Sequence, residues 1–208
     1  MIRPKTKLEL EIEDQKKRGI LVVISGPSAG VGKDSVRKGL LEKYNCKQVV
    51  TYVSREKRSH ERNGVDHHFI TRQEFERKIK EKFFLEWVIT LGNYYGTPKK
   101  DILDKIKMGE DVVLRVDVRG AKSVKKILSE ALLVYIAPPS LKVLEERLKK
   151  RKDVKEMIAK KIQLAEWEIE QFEGFDYIVV NEEGKLDKTI ELVKSIIETE
   201  RRKIKNNK

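Results

Sequence analysis

Gly26, Gly30 and Gly32 run into Lys33, Asp34 and Ser35, and this order of residue types can hold a polyphosphate. Glycines let the backbone turn successive N–H groups toward one anion. A lysine at the end of such a loop reaches the outer phosphates, and a hydroxyl just beyond it can touch the shell of a magnesium ion. A helix opening near Lys33 adds unpaired N–H groups and the positive end of its dipole. The chain departs from the usual phosphate-loop pattern in two respects: five residues separate Gly26 from Gly32, one more than usual, and Asp34 stands where the hydroxyl belongs, with Ser35 one place late. The alternative reading is an ordinary Gly-rich turn with a solvated lysine. Against it stands the apolar run Ile20–Ile24, which reads as a strand buried on both faces and supplies the strand–loop–helix context.

Other side chains could do chemistry as well. Arg55 and Arg58 lie in the polar loop Ser54–Asp66 at a spacing that lets two guanidinium groups grip one phosphate. On spacing alone, a pair of solvated loop arginines is the simpler account. Glu86 sits within Phe83-Phe84-Leu85-Glu86-Trp87, and a carboxylate buried there needs a hydrogen-bonding task. A glutamate at a strand edge is the bland version. Asp117 ends the strand Val112–Val116, at the carboxyl edge where open α/β sheets bind ligands. The histidines are His60, His67 and His68; the adjacent two point to opposite faces of a strand, so no shared metal is expected.

Positioning these groups calls for an α/β scaffold. Compact apolar runs at Asp111–Val116, Leu132–Ala137 and Tyr177–Val180 alternate with helical patterns, which predicts a parallel sheet with right-handed crossovers. Residues 47–98 differ: short alternating pieces (Gln48–Val53, His67–Ile70, Leu85–Ile89) and a helix over Arg72–Lys82 read as an inserted, mainly antiparallel lobe. A helix is predicted over Lys33–Lys43, another from Ile158 to Phe172, and a last one from Leu186 to about Ile204 with a frayed basic tail at Arg201–Lys208. Residues 1–18 read as an edge strand or loose arm, with Leu8, Leu10 and Ile12 alternating against glutamates. The formal charge of +12 favours anionic partners without choosing among them. One cysteine, Cys46, excludes an internal disulfide framework and fits a reducing, cytoplasmic setting, and no apolar run reaches membrane-span length.

The chain resembles the guanylate kinases. The resemblance rests on Gly-Pro-Ser…Gly-Val-Gly-Lys, Ser54-Arg55-x-x-Arg58-x-x-Glu61, Asn63-Gly64-x-Asp66, Phe84-Leu85-Glu86-Trp87, Gly92-Asn93-Tyr94-Tyr95-Gly96-Thr97-Pro98, Asp117-Val-Arg-Gly120 and Pro138-Pro139-Ser140, in family order over roughly residues 19–202. It implies a P-loop NTPase fold: a three-layer parallel-sheet core (19–46, 99–146 and 166–208), a GMP-binding lobe (47–98) and a helical lid (147–165). It also implies transfer of the γ-phosphoryl group of MgATP to GMP or dGMP by a monomer or homodimer, with no nucleic acid or membrane partner. ATP would lie on Gly26, Pro27, Ser28, Ala29, Gly30, Val31, Gly32, Lys33, Asp34 and Ser35, the last two also meeting Mg²⁺, partly through water. The acceptor phosphate would be held by Arg55, Arg58 and Tyr95, with His67 in place of a second phosphate-holding tyrosine. Guanine presents N1–H and its 2-amino group to Glu86, while Thr51 and Thr97 donate to O6 and Asp117 lies beside base and metal waters. Arg147 and Arg151 would embrace the phosphoryl group in flight, with Lys161 where the family has a third arginine. Two departures read as one: the family has an acidic residue at Arg115 and Gly or Ser at Asp34, so an Asp34–Arg115 pair is expected. A related kinase with another phosphorylated acceptor, or a non-catalytic interaction module of the same fold, remains open. Glu86, Thr97 and Tyr95 weigh against the former, and Lys33 with the lid arginines against the latter.

Overall fold

The structure, a computed structural model, describes residues 18–28, 30–59, 61–90, 92–151 and 155–206. The expectations for the N-terminal arm, Ala29 and His60 lie outside these residues. In chain order the elements are β1 (Leu21–Ser25), α1 (Lys33–Lys43), β2 (Tyr52–Val53), β3 (His68–Phe69), α2 (Arg72–Lys80), β4 (Phe84–Thr90), β5 (Asn93–Pro98) and α3 (Lys99–Lys107). There follow β6 (Val112–Arg115), α4 (Val118–Ile127), β7 (Leu132–Ala137), α5 (Leu141–Lys150), α6 (Lys155–Ile169), a 3-10 turn (Glu170–Phe172), β8 (Tyr177–Val180) and α7 (Leu186–Asn206).

Every residue of β1 is buried, as its unbroken apolar run requires. Alternation along the strand sends Ile20, Val22 and Ile24 into one core, with Val36 and Leu40 of α1 and Ile190 and Val193 of α7. Leu21 and Val23 enter the other, with Ile102 and Ile106 of α3 and Val124 of α4. Helices therefore cover both faces of a parallel sheet ordered β6-β1-β7-β8. The carboxyl end of β1 opens into the glycine loop, with β6 and its successor Asp117 alongside.

A second sheet, ordered β3-β2-β5-β4, pairs β2 with β3 in parallel and is otherwise antiparallel. Its own small core stacks Phe75 of α2 on Phe84 and Tyr94, with ring centroids 4.4 and 5.0 Å apart. A register shift between Phe84 and Glu86 breaks the alternation of β4, so Phe84, Leu85 and Glu86 are buried in succession. Phe84 joins the ring stack, and Leu85 packs into the main core beside α3 and α4.

The differences from expectation are local. Of Gln48–Val53 only Tyr52–Val53 pairs as a strand, His67–Ile70 narrows to His68–Phe69, and Asn93–Pro98 is a full strand where the sequence pattern predicts none. The terminal helix continues through Asn206, and Arg201 pairs with Asp111 beside β6, so the basic end is anchored there rather than frayed. Asn207 and Lys208 lie outside the described residues.

Candidate functional site

The loop between β1 and α1 needs its glycines for backbone reasons. Gly26 has φ +134° and Gly32 has φ +87°; a Cβ would come 2.2 Å from the Ile136 carbonyl oxygen at the first and 2.4 Å from Asn181 Nδ2 at the second. Asn181 in turn donates to the Val31 carbonyl at 2.9 Å. Lys33 lies under the loop, only 6% exposed, and donates to the carbonyls of Gly26 (2.6 Å) and Pro27 (2.8 Å). Burial, then the nearby Arg115 charge, lower its pKa to about 8. Ser28 donates both its N–H and its hydroxyl to the carboxylate of Glu168 on α6.

A cleft of about 660 Å³ separates this loop and the end of β6 from the second sheet. It brings Ser28, Lys33, Asp34 and Asp117 to face Thr51, Arg55, Arg58, His67, Glu86 and Tyr95. Arg55 is already organised: its Nη1 lies 2.6 Å from Glu61 Oε2, Nη2 bonds Glu61 Oε1, and Nε donates to the Tyr95 hydroxyl at 3.3 Å. Glu61 is buried, and these bonds from Arg55 pull its pKa down to about 2. It also accepts the Arg58 backbone N–H at 2.9 Å, which fixes the loop carrying the exposed Arg58 side chain. Arg55, Arg58 and Tyr95 all line the cleft.

Glu86 occupies the other end. It is 5% exposed; Oε1 accepts the Thr97 hydroxyl, and Oε2 is buried with no partner among the described residues. Burial pushes the Glu86 pKa up to about 7, and the negative charge of Asp117 adds to the shift. A Cβ on Gly120 would come 3.0 Å from that free oxygen, so the glycine leaves room for it. Asp117 caps α4, accepting the Gly120 N–H at 2.8 Å, and pairs with Arg119 at 2.9 Å.

Three of the residues expected at the acceptor have partners within the protein. Thr97 is fully buried and its hydroxyl serves Glu86, because the strand register sets the two directly opposite each other; it stands behind the carboxylate rather than at the cleft wall. The Thr51 hydroxyl lies 2.7 Å from His67 Nδ1. In the empty protein, burial and the Arg55 and Arg115 charges lower the pKa of His67 to about 4. His67→Tyr should leave the slope of GMP affinity against pH unchanged between about pH 6 and 7.5; isothermal titration across that window checks it, and a flattened slope would restore the charged role.

Asp34 and Arg115 form the pair expected from their charges, Arg115 Nε lying 2.8 Å from Asp34 Oδ1. Arg37 Nε approaches the same oxygen at 3.9 Å. Each residue thus neutralises the other at the mouth of the phosphate loop. Asp34→Gly alone strands Arg115 there, and should impair activity at limiting Mg²⁺ more than Asp34→Gly combined with Arg115→Asp. Strictly additive losses in kcat/KM would refute the exchange of charges. Among the described residues no group of His, Cys, Asp or Glu forms a metal cage. Asp34 and Ser35 at the start of α1 are exposed oxygen donors of the kind a magnesium ion carried by phosphates and water would use, Asp34 lining the cleft.

Arg147 on α5 turns inward, donating to the Asn181 carbonyl (2.8 Å) and pairing with Glu183 (2.9 Å), with Nη1 3.5 Å from the Gly30 carbonyl. Arg151, at the end of the same helix, is exposed. Glu61, Arg37 and Glu168 had no role in the sequence reading. For Glu168 a signal existed: it continues the apolar stripe Ile158, Ile162 and Ala165 on the buried side of α6, where a carboxylate needs a reason.

A parallel sheet whose first strand opens into a glycine loop and buried lysine, facing a second lobe with two cleft-lining arginines and a buried carboxylate, is the architecture of a P-loop phosphotransferase. The family model for guanylate kinase matches residues 18–200. The chain is 40% identical over 190 residues to a guanylate kinase of Carboxydothermus hydrogenoformans, covering 90% of this chain and 92% of that one. It is 43% identical over 192 residues to a guanylate kinase of Thermotoga maritima, covering 91% of each. The crystal structure of guanylate kinase from Anaplasma phagocytophilum superposes with a TM-score of 0.73 at 28% identity, covering 88% of this chain and 87% of that one. The chain belongs to the guanylate kinase family. No helix among the described residues is long and apolar enough to cross a membrane.

Proposed function

We propose that this kinase transfers the γ-phosphoryl group of ATP to GMP. The observation that carries the reading is Glu86: a buried carboxylate with one oxygen unpartnered, lining the same cleft as Lys33. Guanine offers two adjacent donors to such a group, and a base without them leaves the carboxylate unsatisfied. Arg55 and Arg58, with the Tyr95 hydroxyl, hold the acceptor phosphate. Glu61 keeps Arg55 oriented before the substrate arrives, so little rotamer freedom is lost on binding. On the donor side the loop N–H groups and Lys33 hold the β- and γ-phosphates, and Arg147 and Arg151 close over the transferred group. Magnesium, carried in with ATP and met by Asp34 and Ser35 through water, neutralises phosphate charge. No covalent intermediate and no dedicated base is required; positioning and charge neutralisation supply the acceleration, and closure excludes water that would otherwise hydrolyse ATP. The same reading puts the enzyme in the cytoplasm, where a free, buried Cys46 is at home. A coupled assay with ATP against GMP, AMP, CMP and UMP tests it: turnover is expected with GMP alone, and comparable rates with AMP or a pyrimidine nucleotide would overturn it.

A further inference from the structure

Glu168 is 2% exposed and lies near the end of α6, far along the chain from the loop whose Ser28 it binds. One carboxylate oxygen accepts the Ser28 N–H at 2.6 Å and the other accepts the Ser28 hydroxyl. Its own main-chain carbonyl accepts the hydroxyl of Tyr135, a buried residue of β7, at 2.8 Å. The residue is therefore fixed at the backbone by the central sheet and at the side chain by the loop. Burying a carboxylate without strong partners is costly, and here both partners come from one serine in the Gly26-Pro27-Ser28 turn. Lys33 holds the same turn by the carbonyls of Gly26 and Pro27. The two donors of Ser28 are thus engaged by Glu168, and the Gly26 and Pro27 carbonyls by Lys33. The N–H groups at the start of α1 have no intrahelical partner and are among those open to a phosphate.

We propose that Glu168 is a positioning residue for the donor nucleotide: a strut from the sheet through α6 that holds the Ser28 turn in the shape that accepts ATP. It touches neither substrate, and its effect belongs to ATP and not to GMP. The proposal rests on reading the Gly26–Ser35 loop as the ATP site. Because α6 also carries the segment proposed as the lid, the same strut ties lid to loop.

The isosteric variant separates shape from charge. In Glu168→Gln the amide oxygen still accepts the Ser28 N–H, and the amide nitrogen donates to the serine oxygen. Glu168→Ala should raise the KM for ATP, and the Kd for a non-hydrolysable Mg·ATP analogue, by about tenfold, with the KM for GMP unchanged. Glu168→Gln should restore most of that loss. Ser28→Ala, which keeps the N–H bond, should show a smaller rise, and the double variant Ser28→Ala/Glu168→Ala should be no worse than Glu168→Ala alone. If Glu168→Ala does not fold, the glutamine and serine variants carry the test: glutamine near wild type together with an ATP-specific rise in Ser28→Ala supports the strut. The proposal is overturned if glutamine is as defective as alanine, if ATP and GMP constants change together, or if ATP binding is unaffected. A wild-type protein that fails to bind the analogue would instead overturn the assignment of the loop.

Discussion

Lys33→Ala lowers phosphoryl transfer by about a thousandfold, the scale of losing a preorganised charge at the reacting phosphates, and leaves GMP affinity unchanged. The two halves of this expectation come from different lobes. Lys33 lies under the β1–α1 loop, whereas the acceptor grip of Arg55, Arg58 and Tyr95 is built on the second sheet and its loops. The variant also exposes a structural duty. The ammonium bonds the Gly26 and Pro27 carbonyls, and alanine leaves both without that partner. A fall in melting temperature of a few degrees is therefore expected beside the catalytic loss. Titration of GMP into the variant separates the two effects: intact GMP binding with no turnover identifies a donor-side defect. Near-normal turnover would remove Lys33 from the mechanism, and lost GMP binding would mean that the lobes are not independent.

How much of this was legible depends on whether a feature is local in sequence. The run Ile20–Ile24 into a glycine loop announces a buried strand and a phosphate cradle, since both periodicity and loop chemistry lie within a few residues. Glu86 was legible for a similar reason, being a carboxylate among aromatic residues. The Asp34–Arg115 pair could be anticipated because the two charges are unexpected where α1, opening after β1, lies beside the end of β6, the neighbouring parallel strand. By contrast, the roles of Thr97 and Glu61 depend on side-chain geometry. Thr97 stands behind Glu86 only because β4 and β5 pair in that register, after a bulge that no alternation pattern reveals. Strand β5 itself, Asn-Tyr-Tyr-Gly-Thr-Pro, contains a glycine and a proline that argue against a strand; an edge-of-strand proline leading into α3 resolves the conflict. His67 shows the limit of composition: an imidazole ordinarily titrates near neutrality, whereas burial and the Arg55 and Arg115 charges lower its pKa to about 4.

Glu86→Gln should weaken GMP by roughly ten- to a hundredfold while leaving ATP affinity unchanged, since one charged acceptor of a paired contact is replaced by a donor. The same substitution should stabilise the empty protein. The folded-state pKa of Glu86 is raised from 4.5 to about 7. Below the unfolded value both states hold the proton and burial carries no ionic penalty. As pH rises from 4.5 through about 7 the unfolded state ionises first, and stability falls until the penalty is complete above about pH 7. At pH 8 that penalty is about 3 kcal/mol, an order-of-magnitude figure. Glutamine avoids it while still accepting the Thr97 hydroxyl, so its melting temperature should exceed that of the parent at pH 8 and converge with it toward pH 4. Binding runs in the opposite direction. Guanine pairs with the ionised carboxylate, so GMP expels the proton, and affinity should fall by up to about tenfold per unit as pH drops below 7. Phosphate ionisation adds its own dependence, which Glu86→Gln retains; subtracting the variant's profile isolates the carboxylate. Parallel profiles in parent and variant, with equal GMP affinity at pH 8, would take Glu86 out of the base pocket, whereas a more stable variant that has lost GMP would identify its buried charge as kept for recognition at the expense of stability.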